Sequence, residues 1–100
     1  RFCIDEVRLS AANVEALKQH YLPLVVGQEA VVLELSSLKF IDSSGLGMLV
    51  GLRNAMSSPK TVVLEGLSDP TLIELIRLTR MDQIFHLSTG LKETRALLSR

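Results

Sequence analysis

Residues 30–56 read AVVLELSSLKFIDSSGLGMLVGLRNAM, and the fold is decided by how this stretch is read. Ala30 to Leu35 is short, rich in β-branched side chains and nearly continuously apolar. Such a run is expected of a strand covered on both faces, as in a parallel sheet, because a half-exposed strand would alternate apolar with polar. Ser36 to Phe40 reads as a connector. Asp42 is a good helix N-cap, since its carboxylate can accept from first-turn amides that lack an intrahelical partner. A helix is expected over Ser43 to Met56, and Pro59 closes the segment.

Working outward, Thr61 to Glu65 (TVVLE) repeats the buried-strand pattern. Asp69-Pro70 starts another helix, with Asp as cap and Pro at the first helical position, and Leu72, Leu75 and Ile76 form its stripe. Ile84 to Leu87 reads as a last strand. Ser88 or Thr89 then opens a final helix carrying Leu91, Leu97 and Leu98. Upstream, Phe2 to Ile4 reads as a short strand. Ser10 is the expected cap of a helix from Ala11 to about Tyr21, with Val14, Leu17 and Tyr21 on one face. Pro23 disfavours helical geometry at Leu22 and should end it.

The order is β-α-β-α-β-α-β-α. Strands alternating with helices imply an α/β fold: a small, mainly parallel or mixed sheet with covering helices. Its functional sites are expected at the carboxyl ends of the strands, where Asp42 to Gly47 falls. One hundred residues suit one domain, 1–100. The chain begins with Arg1 rather than Met, so the reading allows for residues upstream and an incomplete first strand.

Composition removes several classes. Eleven Lys and Arg balance eleven Asp and Glu, which gives no global preference for nucleic acid or an acidic membrane surface. Cys3 is the single cysteine, so no intramolecular disulfide can form. No apolar run approaches the roughly 18 residues of a membrane span. A cytoplasmic, soluble protein, monomeric when isolated, is the expectation.

The motif FIDSSGLG fits none of three common sites. It has no GxxxxGK and so no Walker A loop, and Gly45-Leu46-Gly47 is only half of GxGxxG because Val50 stands where the third glycine belongs. Neither serine sits in GxSxG, since Ile41 and Asp42 occupy the glycine positions before Ser43 and Ser44. His20, His86 and Cys3 are too few for a zinc centre. His86 is expected to be a structural residue of an apolar strand, His20 a solvated one, and Cys3 a small packed side chain. Asp42, with Asp5 and Glu6 after the first strand, is a weaker match to a phosphorylated aspartate with a magnesium cluster. No catalytic residue, metal or cofactor is expected, and the chain reads as a non-enzyme.

What remains is a helix start. Ser43 and Ser44 fall in the first turn, where the helix dipole favours negative charge, so a phosphate there would be tolerated by its own domain. Capping alone does not explain Gly47 and Gly51, because glycine inside a helix costs about 1 kcal/mol relative to alanine. Leu46, Leu49, Val50 and Met56 already form one apolar face, while Met48, Leu52 and Ala55 spread further round. Either the domain packs this helix unusually closely, or a partner docks on it.

VVLELSSLKFIDSSGLGMLVGLRNAM resembles the central segment of STAS domains (sulfate transporter and anti-sigma factor antagonist), most of all the stand-alone bacterial anti-sigma factor antagonists. The signature falls on Asp42, Ser43, Ser44, Gly45, Leu46, Gly47 and Gly51. TVVLEGLSDPTLIELIRLTRMDQIFHL and EVRLSAANVEALKQ extend the likeness, although Asp5-Glu6-Val7-Arg8 lacks the glycine of the family's Gly-Glu-Leu-Asp string. The resemblance implies partner switching. The unphosphorylated antagonist binds an anti-sigma factor that is also a serine kinase with a Bergerat-type ATP fold, which frees sigma factor for transcription. The kinase then phosphorylates the serine after the aspartate, here Ser43, and a metal-dependent phosphatase restores it. Asp42, Ser43, Ser44, Gly45, Leu46, Gly47, Met48 and Gly51 would form the partner-binding surface, with no direct contact to nucleic acid or membrane. The alternative is a STAS subunit of a lipid or anion transporter that binds its ATPase without phosphorylation. A nucleotide-binding role, also proposed within the family, has no phosphate loop to support it here.

Overall fold

The computed structural model describes residues 1–99. Strands β1 (Phe2–Cys3), β3 (Ala30–Glu34), β5 (Thr61–Glu65) and β6 (Phe85–Ser88) form a four-stranded sheet in the order β1-β3-β5-β6. Every pairing in it is parallel. The connecting helices are α1 (Val14–Val25), α2 (Ser43–Asn54) and α3 (Pro70–Leu78), and α4 (Leu91–Leu98) follows the last strand. The α/β class and the four strands therefore stand as the sequence implied.

The strand order has a consequence for the helices. Each crossover steps in the same direction along the sheet, and crossovers share one hand, so α1, α2 and α3 fall on one face. The main core lies there. Val31, Leu33 and Leu35, with Val62, Leu64 and Phe85, meet Val25, Leu46, Met48, Leu49, Leu52, Leu72 and Ile76. Val32 and Val63 alternate to the opposite face and are also buried, and α4 packs there across β5 and β6.

The expected connector before α2 is partly strand. β2 (Arg8–Leu9) and β4 (Phe40–Ile41) pair in parallel as a separate two-stranded sheet. Leu9 and Ile41 are buried, and they join this small sheet to the main core. Two-residue strands carry no period to read; their pairing is fixed by tertiary backbone bonds, Lys39 and Phe40 N–H both donating to Val7 O.

Helix α1 starts later and ends later than expected. Ser10 caps a turn, not the helix: its Oγ accepts from Ala12 N–H, and Asn13 and Val14 N–H donate to its carbonyl. Asn13 then precedes Val14, with its side chain tied to Ser10 N–H, Glu6 and Arg8 O. Pro23 sits inside the helix. The carbonyl it leaves without a donor is that of Gln19, on an exposed face where water can satisfy it. Continuing the helix buries Val25 to 1% exposure, which offsets the conformational cost at Leu22.

Three side-chain expectations change. The final helix buries Thr94, while Leu91 and Leu98 are exposed, so its apolar stripe is not its packed face. His86 lies in β6 as expected but is exposed, facing a groove with Thr61 and Leu97, so it is not a packed structural residue. Cys3 is exposed too; its thiol contacts the Glu34 carboxylate at 3.1 Å, which raises its pKa and makes it a poor nucleophile. His20 is exposed as expected, stacking edge-on against Tyr21.

Candidate functional site: the amino end of helix α2

Asp42 has extended backbone (φ −107°, ψ −174°) and caps α2. Its Oδ1 accepts from Gly45 N–H at 3.0 Å, and its Oδ2 accepts from Ala11 N–H at 3.2 Å. Its own N–H donates to Leu9 O at 3.1 Å, and its carbonyl receives Leu46 N–H at 3.0 Å. One carboxylate thus fixes the helix start and ties it to the turn after β2. The Gly45 amide above all, then those of Ala11 and Ser44, hold the Asp42 carboxyl below the ordinary aspartate range against the opposing effect of desolvation.

A depressed folded pKa sets the sign of a pH effect. The stabilisation is fully present above the unfolded value, near 3.8, and is lost as pH falls through the lower folded value. Asp42→Ala is therefore expected to lower the Tm at pH 7, with the gap to wild type closing on acidification below about pH 3.8. Thermal unfolding of both proteins between pH 7 and pH 2 checks this; a gap that stays constant over the range would deny Asp42 its role as a charged cap.

The structure separates the sequence-predicted site residues by exposure. Ser43 is exposed at the first helical position, and Ser44 beside it is half-buried. Gly47 is exposed, with nothing within 4 Å of where a Cβ would stand. Gly51 is half-buried under Lys18 of α1, whose Cε lies 3.5 Å from such a Cβ. Gly45 is buried against β2 and β4: a Cβ there would lie 2.5 Å from Leu9 O and 2.6 Å from Ile41 Cγ1. Leu46 and Met48 are buried in the core, so their contribution to any docking surface is to hold the helix in place.

The surplus apolar surface of α2 is accounted for within the domain. Leu46, Met48, Leu49 and Leu52 are all buried, and the helix packs between α1 and the small sheet. Of the two explanations that the residues left open, close packing applies to Gly45, while Gly51 is in ordinary contact with the Lys18 side chain. Gly47 alone stays bare.

Some neighbours of the site escaped the sequence reading. Val7 (60% exposed) and Phe40 (46%) are linked through the backbone, Phe40 N–H donating to Val7 O, and the Arg8 guanidinium sits 5.4 Å from the Phe40 ring centroid. The available signal was two apolar residues that fit no helix or strand period. Arg8 and Phe40, paired in register, share one face of the small sheet, and Phe40 stands two residues before Asp42 in the chain.

Asp42 thus caps α2 of a parallel α/β domain, with Ser43 exposed at the helix start. A family model described as "Mlab, STAS domain" matches residues 7–91. The chain belongs to the STAS domain family. Among the described residues, no helix is long and apolar enough to cross a membrane.

Proposed function

We propose that this chain is a non-enzymatic, cytoplasmic partner-switching module of the anti-sigma factor antagonist kind. When unmodified, it binds an anti-sigma factor that is also a serine kinase with a Bergerat-type ATP fold. The kinase transfers a phosphoryl group to Ser43 and the complex dissociates; a metal-dependent phosphatase hydrolyses the phosphoserine and restores binding. One observation carries this reading: Ser43 is exposed at the first position of α2, directly after a carboxylate already engaged with backbone amides. A kinase can reach that hydroxyl, whereas Ser44 is half-buried.

The test is incubation with the candidate kinase and ATP, followed by mass spectrometry. Phosphate is expected on Ser43 and not on Ser44. Modification of Ser43→Ala at the wild-type rate would overturn the assignment. A pull-down with wild type, Ser43→Ala and Ser43→Asp, with the bound proteins identified, names the partner.

A second reading keeps the surface and drops the phosphate. A STAS subunit bound to a transporter ATPase would hold its partner permanently, and such interfaces are the more apolar ones. The exposed Phe40, two residues before the Asp42 cap, favours it. Under that reading Ser43→Ala and Ser43→Asp capture the same ATPase equally well, and no kinase modifies the chain.

A further inference from the structure

On the sheet face opposite α1, α2 and α3 lies a second cluster. Glu65 (4% exposed), Ser88 (4%) and Thr94 (2%) are three of the four buried polar residues among those described, and they meet at one point. Thr94 Oγ1 donates to Glu65 Oε2 at 2.5 Å. Ser88 Oγ lies 2.7 Å from Thr94 Oγ1 and 2.8 Å from Gly90 O, so it binds the chain that leads into α4. The Arg1 guanidinium spans both Glu65 oxygens, and it offsets the repulsion from Glu34, which stands opposite Glu65 in register on β3.

The apolar hold on α4 is weak by comparison. Thr94 is the one buried side chain of this helix and it is polar, whereas α1 buries Val25, α3 buries Leu72 and Ile76, and α2 buries Leu46, Met48, Leu49 and Leu52. Leu91 and Leu98 are exposed, and a groove of about 380 Å³ separates Leu97 and Leu98 from Ala30, Thr61 and His86. Segments with few buried apolar contacts are the ones that open locally while the rest of a domain stays folded.

We propose that α4 is a separable helix, latched to the sheet by Thr94 on the Glu65 carboxylate, and that it opens as a unit while the main core remains folded. Opening uncovers Val63 and the β5–β6 half of the second face. It leaves Asp42 and the start of α2 in place, since the main core that holds them contains no residue of α4. The hydrogen bond that holds the latch is made to a charged group, so its loss weighs more than that of a neutral one.

Amide hydrogen exchange followed by NMR on the full chain tests this. In wild type, the amides of Arg95 to Leu98 are expected to share one rate, at least roughly tenfold faster than Val62 to Leu64, which exchange only by global unfolding. Thr94→Val keeps the shape and removes the hydroxyl. It should accelerate the α4 amides a further tenfold or more while leaving Val62 to Leu64 unchanged. Glu65→Gln should act in the same place; if it fails to fold, Thr94→Val decides alone. A gradient of rates rising toward Leu98 would mean simple fraying and would overturn the proposal. So would equal acceleration of α4 and β5 in Thr94→Val, or no acceleration in α4.

Discussion

Gly45→Ala is expected to destabilise the domain by about 2 kcal/mol net, although alanine is the better helix former. The gain in helix propensity is about 1 kcal/mol. Against it, the new methyl would sit 2.5 Å from Leu9 O and 2.8 Å from Leu9 Cβ. Those atoms belong to the small sheet, whose Leu9 carbonyl also accepts from Asp42 N–H, so they cannot retreat without moving the cap. Overpacking of this kind typically costs about 1–3 kcal/mol, and contact with backbone puts it at the upper end. For a domain of this size the Tm should fall by about 10 °C. Gly47→Ala, two residues on, should do the reverse: nothing lies within 4 Å, so up to about 1 kcal/mol of helix propensity is gained. Thermal unfolding of the two variants side by side gives opposite signs if α2 is packed as described. A stabilised Gly45→Ala would mean that the helix does not press against β2.

That pair also shows where reading residues runs out. Gly47 and Gly51 looked alike in sequence, as an excess of bare backbone, with Gly45 beside them in the motif. Their roles are set by what lies across from them: Leu9 for Gly45, solvent for Gly47 and the Lys18 stem for Gly51. Leu9 and Lys18 are more than thirty residues away in the chain, so no local pattern could distinguish the three. The buried strands β3 and β5 were legible because five consecutive residues carry a composition that only a doubly covered strand tolerates. The starts of α2 and α3 were legible because Asp42 and Asp69 act on amides within three residues. The two-residue strands β2 and β4 and the seat of α4 on Glu65 depend on partners remote in sequence. Capping chemistry is local, so the candidate site could be found before the fold around it was complete. The contact of Arg8 with Phe40 could not, because the two residues meet only through β2 and β4 pairing.

Phosphorylation of Ser43 is expected to weaken partner binding at least roughly hundredfold while leaving the fold nearly as stable as before. The modification adds a charge of about −1.5 to −2 at the first position of α2. In the free domain that charge is exposed to water and lies at the positive end of the helix dipole, which is worth about 0.3–1 kcal/mol. The adjacent Asp42 carboxylate opposes it, but both groups are solvated, and Asp42 is already compensated by the Gly45 and Ala11 amides. Attraction and repulsion are of similar size, so the Tm should change little. At a docked interface water is excluded. Two like unit charges about 4 Å apart then interact by roughly 4 kcal/mol at an intermediate dielectric. A net penalty of about 2.8 kcal/mol already amounts to a hundredfold loss of affinity. Ser43→Asp should reproduce part of the loss, because it carries less charge and reaches less far, and Ser43→Ala should bind while resisting inactivation. Titration calorimetry with the kinase, paired with thermal unfolding of each form, separates the possible failures. If the phosphorylated chain binds as tightly as the unmodified one, Ser43 is not the switch. If it loses binding only because it unfolds, Ser43 remains the modified residue but the helix end does not accommodate the phosphate, and the dipole argument fails.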